Sequence, residues 1–144
     1  QNDLAIYKSD ANAVRKSSPA YETNELEVSN SDAEVGEDIV VSGFHSEWVE
    51  PFTSIGTVSI GSGTKIRSNS PEPLHSNTIL CDLTTLPGNS GSPILSLKSG
   101  KVVGVVIATV TPDGDRTRMS VATNRKALVR LLEMHKSFTR DSVK

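Results

Sequence analysis

Thr84-Thr85-Leu86-Pro87-Gly88-Asn89-Ser90-Gly91-Ser92-Pro93-Ile94-Leu95 is the stretch whose reading decides the fold. Glycines stand two residues before and one after Ser90, where a backbone without a Cβ can turn tightly. A turn of that kind aims successive amide N–H groups inward and makes an anion pocket from main chain alone. Ser90 would stand at its rim, its hydroxyl able to attack a carbonyl. The N–H groups of Gly88 and Ser90 would then hold the oxyanion, with Asn89 as a further candidate. Pro93 opens the next strand, where a missing N–H costs least. A plain Gly-Ser loop joining two strands would carry the same four residues, so the surroundings have to decide.

Those surroundings read as strand, turn, strand. Residues 39–43 form a β-branched run ending in Gly43. Residues 52–60 place Ile55, Val58 and Ile60 among Ser, Thr and Gly, and Gly61-Ser62-Gly63 then turns the chain. Residues 78–81 make another strand after a Pro-rich loop. Residues 93–97 and 102–108 read as a hairpin turning at Lys98-Ser99-Gly100-Lys101, and residues 116–122 as a last strand. Beyond it, Thr123 or Asn124 can cap a helix over residues 124–136, with Leu128, Leu131, Leu132 and His135 at helical spacing and laid on the sheet. Short, regularly spaced strands with turn residues between them indicate a barrel or sandwich.

Upstream the texture differs. Residues 3–8 are apolar enough for a strand, but a strand that begins at once has its sheet partners elsewhere. From Ser17 to Asp38 there are seven acidic residues (Glu22, Glu25, Glu27, Asp32, Glu34, Glu37 and Asp38) and no basic one, which reads as a solvated connector. The first residue is Gln1, not Met, and this suggests a fragment or a processed product.

Composition removes several function classes. A net charge of −2 over 144 residues is not that of a dedicated nucleic-acid binder, and 4% aromatic content offers no surface on which bases could stack. No apolar run approaches the ~20 residues of a spanning helix, so no membrane partner is expected. A single cysteine, Cys81, excludes an internal disulfide and any cysteine-based zinc cluster, and no cofactor is expected.

Gly88-Asn89-Ser90-Gly91-Ser92-Pro93, together with Asp3-Leu4-Ala5 upstream, resembles the trypsin-like serine peptidases of the chymotrypsin fold, especially the bacterial high-temperature-requirement type and related viral enzymes. Their nucleophile stands in Gly-[Asp or Asn]-Ser-Gly-Gly-Pro and their orienting acid in Asp-[Leu or Ile]-Ala. Val35-Gly36-Glu37-Asp38-Ile39-Val40-Val41-Ser42-Gly43, the run from Phe52 to Gly61 and the run from Lys101 to Ala108 are similar to three further strands of that family. The resemblance implies an all-β fold: a chymotrypsin-like antiparallel barrel, mainly the second of two, with a C-terminal helix. It implies three regions: the end of a first barrel and an acidic connector (1–38), the nucleophile-bearing barrel (39–122), and a helix with its tail (123–144). It implies Ser90 as nucleophile, Asp3 as the acid that holds a histidine's tautomer, and Gly88, Asn89 and Ser90 around the oxyanion. A peptide or protein would be the substrate.

In that family the histidine precedes the aspartate. None of His45, His75 and His135 has that place, and each reads as a loop or helix residue. The base is therefore expected on a first barrel that these residues lack, and the isolated chain is expected to be inert. Asn89 replaces the aspartate that pairs with a freed N-terminal amine in digestive-type relatives. An amide cannot make that ion pair, so the bacterial type is favoured. Ser92 replaces a glycine and adds a Cβ beside the turn. The primary specificity pocket would be walled by Thr84, Thr85 and Leu86 on one side and Ile107, Ala108 and Thr109 on the other. With no carboxylate at its floor, a small or medium apolar side chain is expected there. The competing reading is a non-catalytic, peptidase-like module that grips peptides by strand addition.

Overall fold

In the computed structural model, residues 26–45, 50–61, 77–111 and 119–141 are described, with side chains as far as residue 136. The proposed strand at residues 3–8, the first part of the acidic stretch and His75 lie outside them. Six strands follow one another: β1 (Asp38–Phe44), β2 (Pro51–Ile60), β3 (Thr78–Asp82), β4 (Pro93–Ser96), β5 (Val102–Val110) and β6 (Met119–Asn124). They close into an antiparallel barrel in the order β1-β2-β3-β6-β5-β4. Helix α1 (Arg125–Asp141) completes the described chain. Closure satisfies the main-chain groups that an open sheet would leave at its edges.

Alternation along the strands fills the barrel. Ile39 and Val41 of β1, Ile79 and Cys81 of β3 and Ile94 of β4 are wholly buried, and Val58, Val103 and Val106 join them. Burying one such side chain stabilises the fold by roughly 1.5–3 kcal/mol. The same geometry divides the apolar residues of β2 between core and solvent. Ile55 and Val58 differ in parity, so one regular strand cannot turn both inward. Val58 points in, and Ile55, opposite Val40, points to solvent at 68% exposure.

The helix begins where its cap predicts. Asn124 ends β6 and its Oδ1 accepts the Ala127 N–H at 3.1 Å. The expected stripe is only partly laid down, because Leu132 is exposed while Ala127, in the first turn, is the residue most deeply buried. Among the described residues no helix is long and apolar enough to cross a membrane.

The later part of the acidic stretch is not simply solvated. The Ser29 N–H donates to the Val102 carbonyl and the Val102 N–H to the Glu27 carbonyl, both at 2.8 Å, so the segment follows the start of β5. Arg125 Nε donates to the Ser29 carbonyl at 2.6 Å. Lys101 meets Glu27 at 2.7 Å and Lys126 meets Asp32 at 3.3 Å. The Lys101 ammonium, hydrogen-bonded to Glu27, holds that carboxyl below its ordinary range.

Candidate active site

The loop from Leu83 to Ser92 joins β3 to β4. Gly88 (φ 102°) and Gly91 (φ 90°) both lie in the left-handed region that a Cβ disfavours, so the glycines flanking Ser90 perform the turn. Main-chain bonds fix the loop on both sides. The Asn89 N–H donates to the Leu86 carbonyl at 3.0 Å and the Ser92 N–H to the Asn89 carbonyl at 2.9 Å. The Gly91 N–H reaches the Val106 carbonyl, and the Val106 N–H returns to the Ser92 carbonyl. These leave the amides of Gly88 and Ser90 without an acceptor among the described residues.

Asn89 does not join that pair. Its N–H is consumed within the loop, and its side chain is fully buried with Oδ1 accepting the Leu86 N–H at 2.8 Å. A neutral amide thus braces the turn from inside. Its Nδ2 is buried without a partner among the described residues.

The extra hydroxymethyl of Ser92 has a space of its own. A Cβ placed on Gly43 of β1 would lie 2.1 Å from Ser92 Oγ and 2.7 Å from Asn89 Nδ2. The glycine at 43 therefore makes room for both side chains of the loop. Sequence reasoning treated Gly43 as a strand end only; its distance from Ser92 along the chain hid the pairing.

Beside Ser90 lies a cleft of about 340 Å³. Of the expected walls, Thr85, Leu86, Ala108 and Thr109 line it. Thr84 and Ile107 do not. Thr84 is exposed between buried Leu83 and buried Thr85, turned outward by the alternation of an extended chain. Ile107 is the extra residue of a β-bulge where the β5–β6 register shifts between Val106 and Ala108. Pro87, Val106 and Thr111 also line the cleft, and among the described residues no ionisable side chain contributes.

Three hydroxyls are joined at this cleft, those of Thr85 and Thr109 on its lining and that of buried Ser120. Thr85 Oγ1 lies 3.0 Å from Thr109 Oγ1 and 2.9 Å from Ser120 Oγ, which donates to the Leu83 carbonyl at 2.5 Å. Ser120 was missed by the sequence reading, although its pairing with Thr109 across β5 and β6 follows from that hairpin's register. Asp3 lies outside the described residues. His45 follows β1 and His135 lies on α1; neither lines the cleft.

Comparison with known proteins gives this arrangement a context. Among solved structures 85 chains match. One is the inactive form of Rv3671c from Mycobacterium tuberculosis H37Rv, a serine-to-alanine mutant, with a TM-score of 0.58 and 21% identity. The match covers 76% of this chain and 52% of that one, so the chain spans about half the length of that solved structure. At this identity the likeness carries the fold, a chymotrypsin-like barrel with a C-terminal helix. No curated protein matches. The family model of the trypsin-like peptidase domain matches residues 1–105, and the chain belongs to that family.

Proposed function

We propose that this chain is the nucleophile-bearing half of a serine endopeptidase, with Ser90 as its nucleophile. The observation that carries the reading is the turn around Ser90. Two left-handed glycines free the Gly88 and Ser90 amides beside a cleft that Ser90 itself lines and whose described lining is uncharged. In the proposed reaction Ser90 Oγ attacks the scissile carbonyl and loses its proton to a histidine. The two amides stabilise the tetrahedral oxyanion. The histidine returns the proton to the leaving amine, and water then hydrolyses the acyl-enzyme by the same relay.

Asp3 orients that histidine in the proposal, and the histidine comes from a first barrel that these 144 residues do not supply. Residues 1–38 would end that barrel and connect it to residues 39–122, with residues 123–144 as a terminal helix and tail. Asn89 supports the bacterial-type grouping, since it braces the loop by a hydrogen bond to Leu86 where digestive-type relatives use an ion pair. Gly43 supports an intact turn with Ser92 in place, because its missing Cβ leaves room for the Ser92 side chain. The substrate is a peptide or protein with an uncharged side chain in the cleft.

Peptide hydrolysis tests the proposal. A full-length protein carrying this barrel is expected to cleave a peptide library. Ser90→Ala is expected to lower the rate by at least about 10³-fold, and the isolated 144 residues should be inert. Unchanged hydrolysis by Ser90→Ala would refute the assignment, and Ser90-dependent hydrolysis by the isolated chain would refute the missing histidine.

A further inference from the structure

A hydroxyl carries one hydrogen and two lone pairs, so a chain of hydroxyls ending on a carbonyl has only one possible direction. Ser120 spends its hydrogen on the Leu83 carbonyl, which can only accept. The contact between Ser120 and Thr85 must then use the hydrogen of Thr85. With that hydrogen spent, the contact between Thr85 and Thr109 must use the hydrogen of Thr109. The order Thr109→Thr85→Ser120→Leu83 follows. The two threonines of that chain, both on the lining of the cleft, therefore have no hydrogen left to offer and can only accept.

Around these lone pairs the walls are apolar, formed by Leu86, Pro87, Val106 and Ala108. Thr111, also on the lining, is exposed to water. A carboxylate entering the cleft would set its own lone pairs against those of the threonines and lose its hydration. A lysine or arginine would find no counter-ion among the described residues of the lining. A purely apolar side chain would fit but leave the acceptors unanswered.

We infer that the cleft beside Ser90 selects, immediately before the scissile bond, an uncharged side chain that ends in a hydrogen-bond donor, a carboxamide or a hydroxyl. This deepens the peptidase reading and rests on it. The specificity element is the ordered hydroxyl chain, with Ser120 as a positioning residue that never touches substrate. It narrows the apolar preference expected from the lining's lack of charge to side chains that also donate.

The test is a set of peptides differing only at the residue before the cleaved bond, assayed with the full-length protein carrying this barrel. The expected kcat/KM for Gln exceeds that for Glu by on the order of 100-fold, and Thr exceeds Val about 3- to 10-fold. Two variants probe the chain itself. Ser120→Ala frees the Thr85 hydrogen to turn toward Thr109, whose own hydrogen then faces the cleft, and the Gln-to-Glu ratio should fall about 10-fold. Thr109→Val, on an exposed residue, removes one of the two acceptors and should lower the Thr-to-Val ratio. Each ratio is internal to one enzyme, so a general loss of activity does not move it. Glu or Val cleaved as well as Gln or Thr, or ratios unmoved in both variants, would overturn the inference and leave the peptidase reading intact. A folded protein that cleaves none of the peptides would overturn both.

Discussion

Gly43 and Ser92 show how one missing Cβ decides a loop forty-nine positions away. Gly43→Ala would press a methyl into Ser92 Oγ and Asn89 Nδ2. Overpacking of this kind costs about 1–3 kcal/mol, and the displaced turn should lower activity as well. Ser92→Gly in the same protein should restore part of the loss, since it removes the nearer clash and leaves that with Asn89. Urea unfolding of the two single variants and the double checks this as a coupling, and strictly additive costs would contradict it. Cys81 supports a second expectation. Burial in the barrel pushes its thiol from the ordinary 9.0 up to about 12. Above pH 9 the unfolded chain sheds the thiol proton while the folded chain keeps it, so stability should fall as pH rises. The slope from this group is about 1.4 kcal/mol per pH unit until the folded value is reached. Cys81→Ala should remove that part of the alkaline slope in unfolding curves taken from pH 8 to 11; an unchanged slope would show that the thiol is not insulated.

At the scale of elements, the junction of β6 with α1 depends on Asn124, whose side chain caps the helix while its N–H holds the Asn77 carbonyl at 2.7 Å. Asn124→Ala should cost about 1–2 kcal/mol by thermal unfolding, with loss of helical signal at 222 nm before the barrel melts. A variant as stable as the parent would mean that the helix is held by packing alone. This junction was legible in the sequence, as were all six strands within a few residues, because β-branched runs, glycine turns and a capping asparagine are local signals. The Gly-Asn-Ser-Gly turn was legible for the same reason: the two glycines that flank Ser90 adopt the left-handed backbone their spacing implied. What local pattern could not give was anything set by partners distant in the chain. The outward turn of Ile55, the bulge that removes Ile107 from the cleft, and the place of Ser120 beneath Thr85 all come from register. So does the packing of residues 26–37 against the barrel, since an acidic stretch does not reveal that Lys101 and Lys126 await it.

Across the whole molecule, the closed barrel gives the Ser90 loop a rigid support: β1 backs it through Gly43, and β5 ties it through Val106. A binding module that works by strand addition needs an open edge, and the six described strands leave none. A nucleophile loop needs the opposite, a frame that fixes two amides and a hydroxyl against one reacting carbonyl. The proposal that Ser90 is that nucleophile is tested most directly by treating the folded full-length protein with a fluorophosphonate probe and locating the adduct by peptide mass mapping. The account predicts one adduct, on Ser90, lost in Ser90→Ala and in the protein denatured before labelling. A folded protein with no adduct on Ser90 would contradict it.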